Sequence, residues 1–293
     1  MNDRSKDGPL SGRRIALLET REAERLAQML RERGAEIVSI PAVAIVDAAA
    51  PAPVASWLDR FIAAPPDYLV LLTGEGLTRL HGLAQNGGIG ADLVAALDRT
   101  VTVIRGPKPA RALRALGLTP QLRAEQATTE GVIALLSGLD LRGRRIGVQL
   151  YPDAPSRLAD FLRAAGALPD PVTPYAYEAA APDQALAGLI DKIAAGGIDA
   201  IAFTSASQAK RLFEVARQRG GTDRLKAGLR LTAIAAVGPV AASELQQHGA
   251  SPTIVPAGRY FMKPLVTAIA TALAGTNSGP GNRGNDVPEP EPV

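Results

Sequence analysis

One offset, 132 residues, relates separated blocks of this 293-residue chain. Arg25-Leu26-Ala27, Leu30-Arg31 and Gly34-Ala35 recur as Arg157-Leu158-Ala159, Leu162-Arg163 and Gly166-Ala167. Asp67, Thr73, Arg79 and Leu80 recur as Asp199, Ser205, Arg211 and Leu212. Gly106-Pro107, Ala110, Leu113, Gly117 and Pro120 recur as Gly238-Pro239, Ala242, Leu245, Gly249 and Pro252. Ahead of these, Gly12-Arg13-Arg14-Ile15 matches Gly143-Arg144-Arg145-Ile146, one residue out of step. Agreement at so many places under one shift is not accidental. The chain is a duplication of one unit.

The unit is α/β. Short Val-, Ile- and Leu-rich runs at Ile15–Glu19, Ile37–Ile40, Tyr68–Thr73, Val101–Ile104, Arg145–Leu150, Ala200–Thr204 and Leu231–Val237 read as strands buried on both faces. Helical stretches lie between them, such as Arg21–Arg33, whose Ala23, Leu26, Ala27 and Leu30 share a face, and Ser156–Ala165; Gly34 and Gly166 stop the two. Strand–helix–strand alternation predicts parallel sheets with right-handed crossovers. Two segments with a central proline, Ser39–Val46 and Val172–Glu178, are predicted as stiff extended connections between the units, forming a hinge. Residues 1–11 are expected to be a flexible lead-in. The Gly/Pro-rich stretch 276–293 is expected to be a disordered tail.

Composition closes off several chemistries. There is no cysteine, which removes disulfides, thiolate metal sites and a Cys nucleophile, and the two histidines, His81 and His248, leave little for zinc or a Ser-His-Asp triad. No apolar run reaches the ~18 residues of a membrane helix. The first residues lack a signal-peptide core, so a soluble, cytoplasmic protein is expected. The net charge is +3, and the last eighteen residues hold Arg283 against three carboxylates, so the remainder is the more basic part. That bias suits a polyanionic small molecule. With aromatics at 4% there is little on which to stack bases, and no nucleic-acid partner is expected.

Duplicated α/β units tend to bind ligands between strand ends. Thr73-Gly74-Glu75-Gly76 and Thr204-Ser205-Ala206-Ser207-Gln208 each run from a strand into a helix, offering backbone N–H groups and hydroxyls to an anion, or simply capping the helix. Arg105-Gly106-Pro107-Lys108 and its counterpart at Gly238-Pro239 form a second pair of loops, and Arg21, in the first turn of its helix, is a third candidate cation after Arg105 and Lys108. Tyr175 and Tyr177 stand two apart on one side of the second connection, and Tyr151 ends a strand; a phenol in a cleft can donate a hydrogen bond or pack the hinge.

With these residues in view the chain resembles the uroporphyrinogen-III synthase family over roughly residues 12–275. The likeness rests on Glu19-Thr20-Arg21, Phe203-Thr204-Ser205, Ala236-Val237-Gly238-Pro239 and Pro174-Tyr175. The resemblance implies two similar parallel-sheet α/β domains joined by a two-stranded linker: residues 12–41 plus 180–275 form one, and 47–172 the other. It implies a monomeric lyase that closes the linear tetrapyrrole hydroxymethylbilane, inverting the last ring with loss of water and without cofactor or metal. Tyr175 stands where the family places its candidate acid. Substrate contacts fall to Thr20, Arg21, Thr73, Gly74, Arg105, Gly106, Lys108, Thr128, Tyr151, Thr204, Ser205, Ser207, Gly238 and Pro239. Pro109 and Ala241 replace a threonine common in the family, and Glu75 would repel an anion if it faced inward. The alternative is therefore a non-catalytic relative that binds or senses an anionic tetrapyrrole-like ligand.

Overall fold

The computed structural model describes residues 8–274. The expected tail at 276–293 and residues 1–7 of the expected lead-in lie outside the described residues.

The chain runs β1 (Arg14–Leu17), α1 (Ala23–Arg31), β2 (Glu36–Ser39), β3 (Val43–Asp47), α2 (Pro51–Ala63), β4 (Tyr68–Leu71), α3 (Gly74–Asn86) and α4 (Gly90–Asp98). It continues through β5 (Val101–Ile104), α5 (Pro107–Ala115), β6 (Leu122–Arg123), α6 (Thr129–Leu136), β7 (Arg145–Gln149), α7 (Arg157–Ala164) and β8 (Leu168–Val172). The last part holds β9 (Tyr175–Ala179), α8 (Asp183–Ala194), β10 (Ala200–Phe203), α9 (Ala206–Gln218), α10 (Thr222–Leu229), β11 (Ala233–Ala236), α11 (Pro239–Gln247) and α12 (Met262–Ala274).

Two parallel sheets result, ordered β11-β10-β1-β2 and β6-β5-β4-β7-β8. The duplication is visible in their register: Ala200 faces Ala233 as Tyr68 faces Val101, and the bridge from Ala235 to Ile254 repeats the pairing of Val103 with Leu122. Each sheet borrows its β–α–β unit from the other half of the chain. β1 and β2 join β10, whereas β7 and β8 join β4. The two crossings are joined by an antiparallel pair, β3 with β9, in which Ile45 faces Tyr177, its own counterpart 132 residues on. The pseudo-twofold relating the halves therefore passes through that pair.

Alternate strand residues supply separate cores, because both faces of each sheet are covered by helices. Ile201 and Phe203 pack beneath α8–α11, Ala200 and Ala202 beneath α1 and α12. In the other sheet Leu69 and Leu71 face α2–α5, and Val70 and Leu72 face α6 and α7.

Three expectations need adjustment. The helix predicted over Arg21–Arg33 begins only at Ala23, so Arg21 precedes it and does not oppose its dipole. The lead-in does not extend to residue 11. Leu10 is fully buried and its N–H donates to Arg33 O at 2.9 Å, since an apolar side chain beside Leu26 and Leu30 gains more from burial than from motion. An unforeseen strand, Leu168-Pro169-Asp170-Pro171-Val172, forms a sheet edge.

The paired Gly-Arg-Arg blocks now have a purpose. Asp67 accepts from the Arg145 N–H at 2.8 Å and from Arg144 at 3.0 Å; Asp199 accepts from the Arg14 N–H at 2.8 Å and from Arg13 at 3.1 Å. Each carboxylate pins the start of the borrowed strand to its new sheet. The Arg145 N–H, and the Arg144 guanidinium beside it, hold the Asp67 carboxyl below its usual pKa against some desolvation. A depressed carboxyl stabilises above its ordinary value near 3.9 and loses that contribution as pH falls through the folded value. Asp67→Ala should therefore lower stability by roughly 1–2 kcal/mol at neutral pH, small because the side chain is partly exposed. Thermal melts at pH 7 and pH 3 should show that gap closing in acid.

Candidate active site

The conspicuous polar residues gather where the carboxyl ends of the two sheets and the β3–β9 pair meet. After β1, the Glu19 carboxylate accepts the backbone N–H groups of Thr20 and Arg21, both at 3.1 Å, and the Thr204 hydroxyl and Gln208 amide from the start of α9. Burial opposes its charge, but the Thr204 hydroxyl and the backbone N–H groups of Thr20, Arg21 and Glu22 prevail and hold its pKa below the usual value. Thr20 spends its hydroxyl on Val43 O at 2.6 Å, tying this loop to β3.

In the other sheet Thr73 caps α3, its hydroxyl accepting from the Gly76 N–H at 3.0 Å. Tyr175 is 2% exposed and its hydroxyl donates to Thr73 Oγ1 at 3.3 Å. The Tyr175 ring meets Tyr177 edge-on at 5.7 Å. Burial pushes both phenols above their ordinary pKa, Tyr175 the further, so both are neutral near pH 7. Tyr177 also bonds to Ser207, whose hydroxyl shares a proton with Ser205 at 2.9 Å. The strand ends of both sheets thus converge on the two tyrosines.

Arg105 lies over the Tyr151 ring at 5.3 Å. Burial lowers its pKa and the surrounding Tyr151, Tyr175 and Tyr177 oppose the change; a guanidinium starts so high that it stays charged. Lys108 is exposed along its surface, yet it reaches across between the sheets, its Nζ 3.5 Å from Thr204 O. Desolvation lowers its pKa, and the Glu19 carboxylate counteracts this. Pro107 and Pro109 leave the first turn of α5 with few N–H donors, so the Lys108 ammonium is the principal cationic group there.

Other predicted residues are placed differently. Arg21 forms an ion pair with Glu75, which also holds Arg79 at 2.8 Å. Glu75 is therefore neutralised rather than free to repel, and Arg21 is occupied. Thr128 caps α6 through the Gly131 N–H at 3.0 Å. Gly106 and Gly238 cap α5 and α11 in extended conformation, and Gly238 packs against Tyr260, where a Cβ would come within 2.8 Å of the ring. Pro239 opens α11. Gly74 sits against the Lys108 carbonyl.

Gln149 is absent from the residues read from the sequence, and Gly76 and Gln208 enter there only as parts of the two strand-to-helix loops. A glutamine directly after the buried Ile146-Gly147-Val148 run is the available signal for Gln149.

Two duplicated α/β lobes, crosswise exchanged and joined by a two-stranded pair, with cations, hydroxyls and neutral phenols between their strand tips, define the class of protein. Residues 24–267 match the profile of the uroporphyrinogen-III synthase HemD family. The chain belongs to the uroporphyrinogen-III synthase family. It is 30% identical over 248 residues to the uncharacterized protein YjjA of Bacillus subtilis (strain 168), covering 84% of this chain and 91% of that one. Among solved structures, a mutant uroporphyrinogen III synthase of the extremely thermophilic bacterium Thermus thermophilus matches with a TM-score of 0.72 at 26% identity, covering 90% of this chain and 100% of its own. The wild-type protein in a second crystal form matches at 0.59 with the same 26% identity, covering 90% and 99%. Among the described residues no helix is long and apolar enough to cross a membrane.

Proposed function

We propose that the chain is a working uroporphyrinogen-III synthase, a monomeric cytoplasmic lyase that closes hydroxymethylbilane with inversion of the last ring. The lobes in this reading are residues 12–41 plus 180–275 and 47–172, a division that sheet membership supports. The observation that carries the reading is the Tyr175 phenol, almost fully buried and held by Thr73 between two facing sets of strand ends, beside Arg105.

The residues divide the work. Arg105 and Lys108, with N–H groups at the starts of α3, α9 and α11, meet substrate carboxylates. The Arg21–Glu75 pair joins the two sides of the cleft, and a substrate carboxylate entering there competes with Glu75 for Arg21. On substrate entry Tyr175 turns its single hydroxyl hydrogen from Thr73 to the terminal hydroxyl and gives it up as the carbon–oxygen bond breaks; water leaves, and the positive charge is delocalised over the adjoining pyrrole. The substituted carbon of the last ring attacks, giving a spiro intermediate that fragments and recloses, and the proton then lost from the joined ring returns to the Tyr175 phenolate. The protein's main contribution is conformational, because the unguided chain closes without inversion. Cleft opening admits the substrate.

Fresh hydroxymethylbilane given to purified protein should yield predominantly the type III isomer, well above the spontaneous type I product. An unchanged isomer ratio, with saturable binding of the substrate, would favour the non-catalytic relative.

A further inference from the structure

We propose that Gln149 is a positioning residue whose buried amide sets the direction of the hydrogen bonds through Thr73 to Tyr175 and thereby holds the phenol in place. The inference rests on the reading of Tyr175 given above and extends it to a residue in a different element.

Gln149 ends β7 and is 0% exposed. The Thr73 N–H can only donate, so the side-chain atom 3.0 Å from it is the amide oxygen. The amide nitrogen then donates to Leu150 O, which locks the amide against flipping. Thr73 Oγ1 lies 3.3 Å from the same oxygen, so its single hydrogen goes there. Thr73 Oγ1 already accepts from Gly76 N–H at 3.0 Å, and its remaining capacity is to accept from Tyr175. Each bond fixes the next, from Leu150 O outward to the phenol. Without the amide oxygen, the Thr73 hydroxyl is free to rotate, and the phenol oxygen loses the fixed point that places it for the substrate.

The duplicated partner shows that the arrangement is specific to this lobe. A helix start is commonly braced by a Glu or Gln at the third helical position reaching back to a preceding N–H. In α9 that residue is Gln208, whose oxygen accepts the Thr204 N–H at 2.9 Å. The third residue of α3 is Gly76, and a Cβ there would stand 2.0 Å from the Gln149 amide carbon. The counterpart of Gln149 beside α9 is Leu18, fully buried and apolar. One lobe carries the amide on the helix, the other on the strand. Only the strand-borne amide serves the threonine that holds Tyr175.

The test begins with wild-type turnover of hydroxymethylbilane, which decides the functional reading itself. Gln149→Leu should then lower kcat roughly 10- to 100-fold with KM changed by less than about twofold. Gln149→Glu supplies a readout that a merely structural role does not move. When protonated, the introduced carboxyl donates to Leu150 O and accepts from Thr73 as the amide does; when ionised it faces that carbonyl without a proton. The charged and titratable groups around this chain are Glu75, Arg105, Tyr151, Tyr175 and Tyr177. Activity of the Gln149→Glu variant should approach wild type in acid and fall as pH rises, showing an ionisation in kcat that wild type lacks, while circular dichroism stays constant. Wild-type kcat in Gln149→Leu, or a wild-type pH profile in Gln149→Glu, overturns the proposal; the second measurement decides should the first variant fail to fold. If wild type itself turns nothing over, the crystal structure of Gln149→Leu decides instead: a Tyr175 hydroxyl still bonded to Thr73 refutes the positioning role, and its departure supports it.

Discussion

Tyr175→Phe lowers kcat for hydroxymethylbilane by roughly 100- to 10,000-fold, the range a general acid contributes, and leaves KM nearly unchanged. The ring is what packs: it is almost fully buried and meets Tyr177 edge-on, and phenylalanine keeps that surface. Only the hydroxyl is lost, together with its bonds to Thr73 and Tyr177, and Tyr177 keeps its bond to Ser207. Thr73 Oγ1 retains the Gly76 N–H and the Gln149 oxygen, so no buried polar atom is stranded. The stability cost is therefore about 0.5–1.5 kcal/mol, a shift in Tm of roughly 2–6 °C. Stopped-flow turnover beside a thermal melt checks both halves. A variant that melts normally and reacts normally would take the phenol out of the reaction. Because burial raises the pKa of Tyr175, the wild-type enzyme should also show no loss of activity through the ordinary tyrosine range near pH 10 that can be traced to this residue.

The repeat made most of the architecture legible, because strands buried on both faces need continuous apolar runs and the same runs recur at one offset. The shared geometry of Asp67 and Asp199, each clamping an arginine pair, follows from the residues that repeat most faithfully. β8 was missed because it carries two prolines. Leu168 donates to Arg144 O and Val172 accepts from Leu150, so Pro169 and Pro171 turn toward the open edge, where a missing N–H costs no ladder bond and discourages pairing with another chain. The β3–β9 pairing was foreseen from the family likeness alone, since short segments 132 residues apart give no periodic signal. In the site, loops, cations and tyrosines could be named from their positions at strand ends. Their partners could not. Arg21 reads as a free cation until folding brings Glu75 to it from the other lobe, and Gln149 reads as an oddity in an apolar strand until Gly76 makes room for it.

Gly74 and Gly82 lie in the same helix, α3, and the same substitution should act on them in opposite directions. A Cβ at Gly82 meets nothing within 4 Å, so Gly82→Ala gains the helical preference of alanine, about 0.5–1 kcal/mol. At Gly74 the Cβ would stand 2.6 Å from Lys108 O and 2.9 Å from its carbonyl carbon. Those atoms are backbone in the first turn of α5 and cannot swing aside as a flexible side chain would. Gly74→Ala must therefore push α3 and α5 apart at their starts, at a cost of roughly 1–3 kcal/mol. The displaced residue is Lys108, whose ammonium reaches toward Thr204 O in the opposite lobe. A shift of even about 1 Å there should raise KM for a polycarboxylate substrate as well as lower Tm, whereas Gly82→Ala should raise Tm and leave both kinetic constants alone. Melts and steady-state kinetics on the two variants separate close backbone approach from mere glycine flexibility. If Gly74→Ala matched Gly82→Ala in both measurements, the tight seam between α3 and α5 would not exist in solution, and Lys108 would lose its fixed place in the cleft.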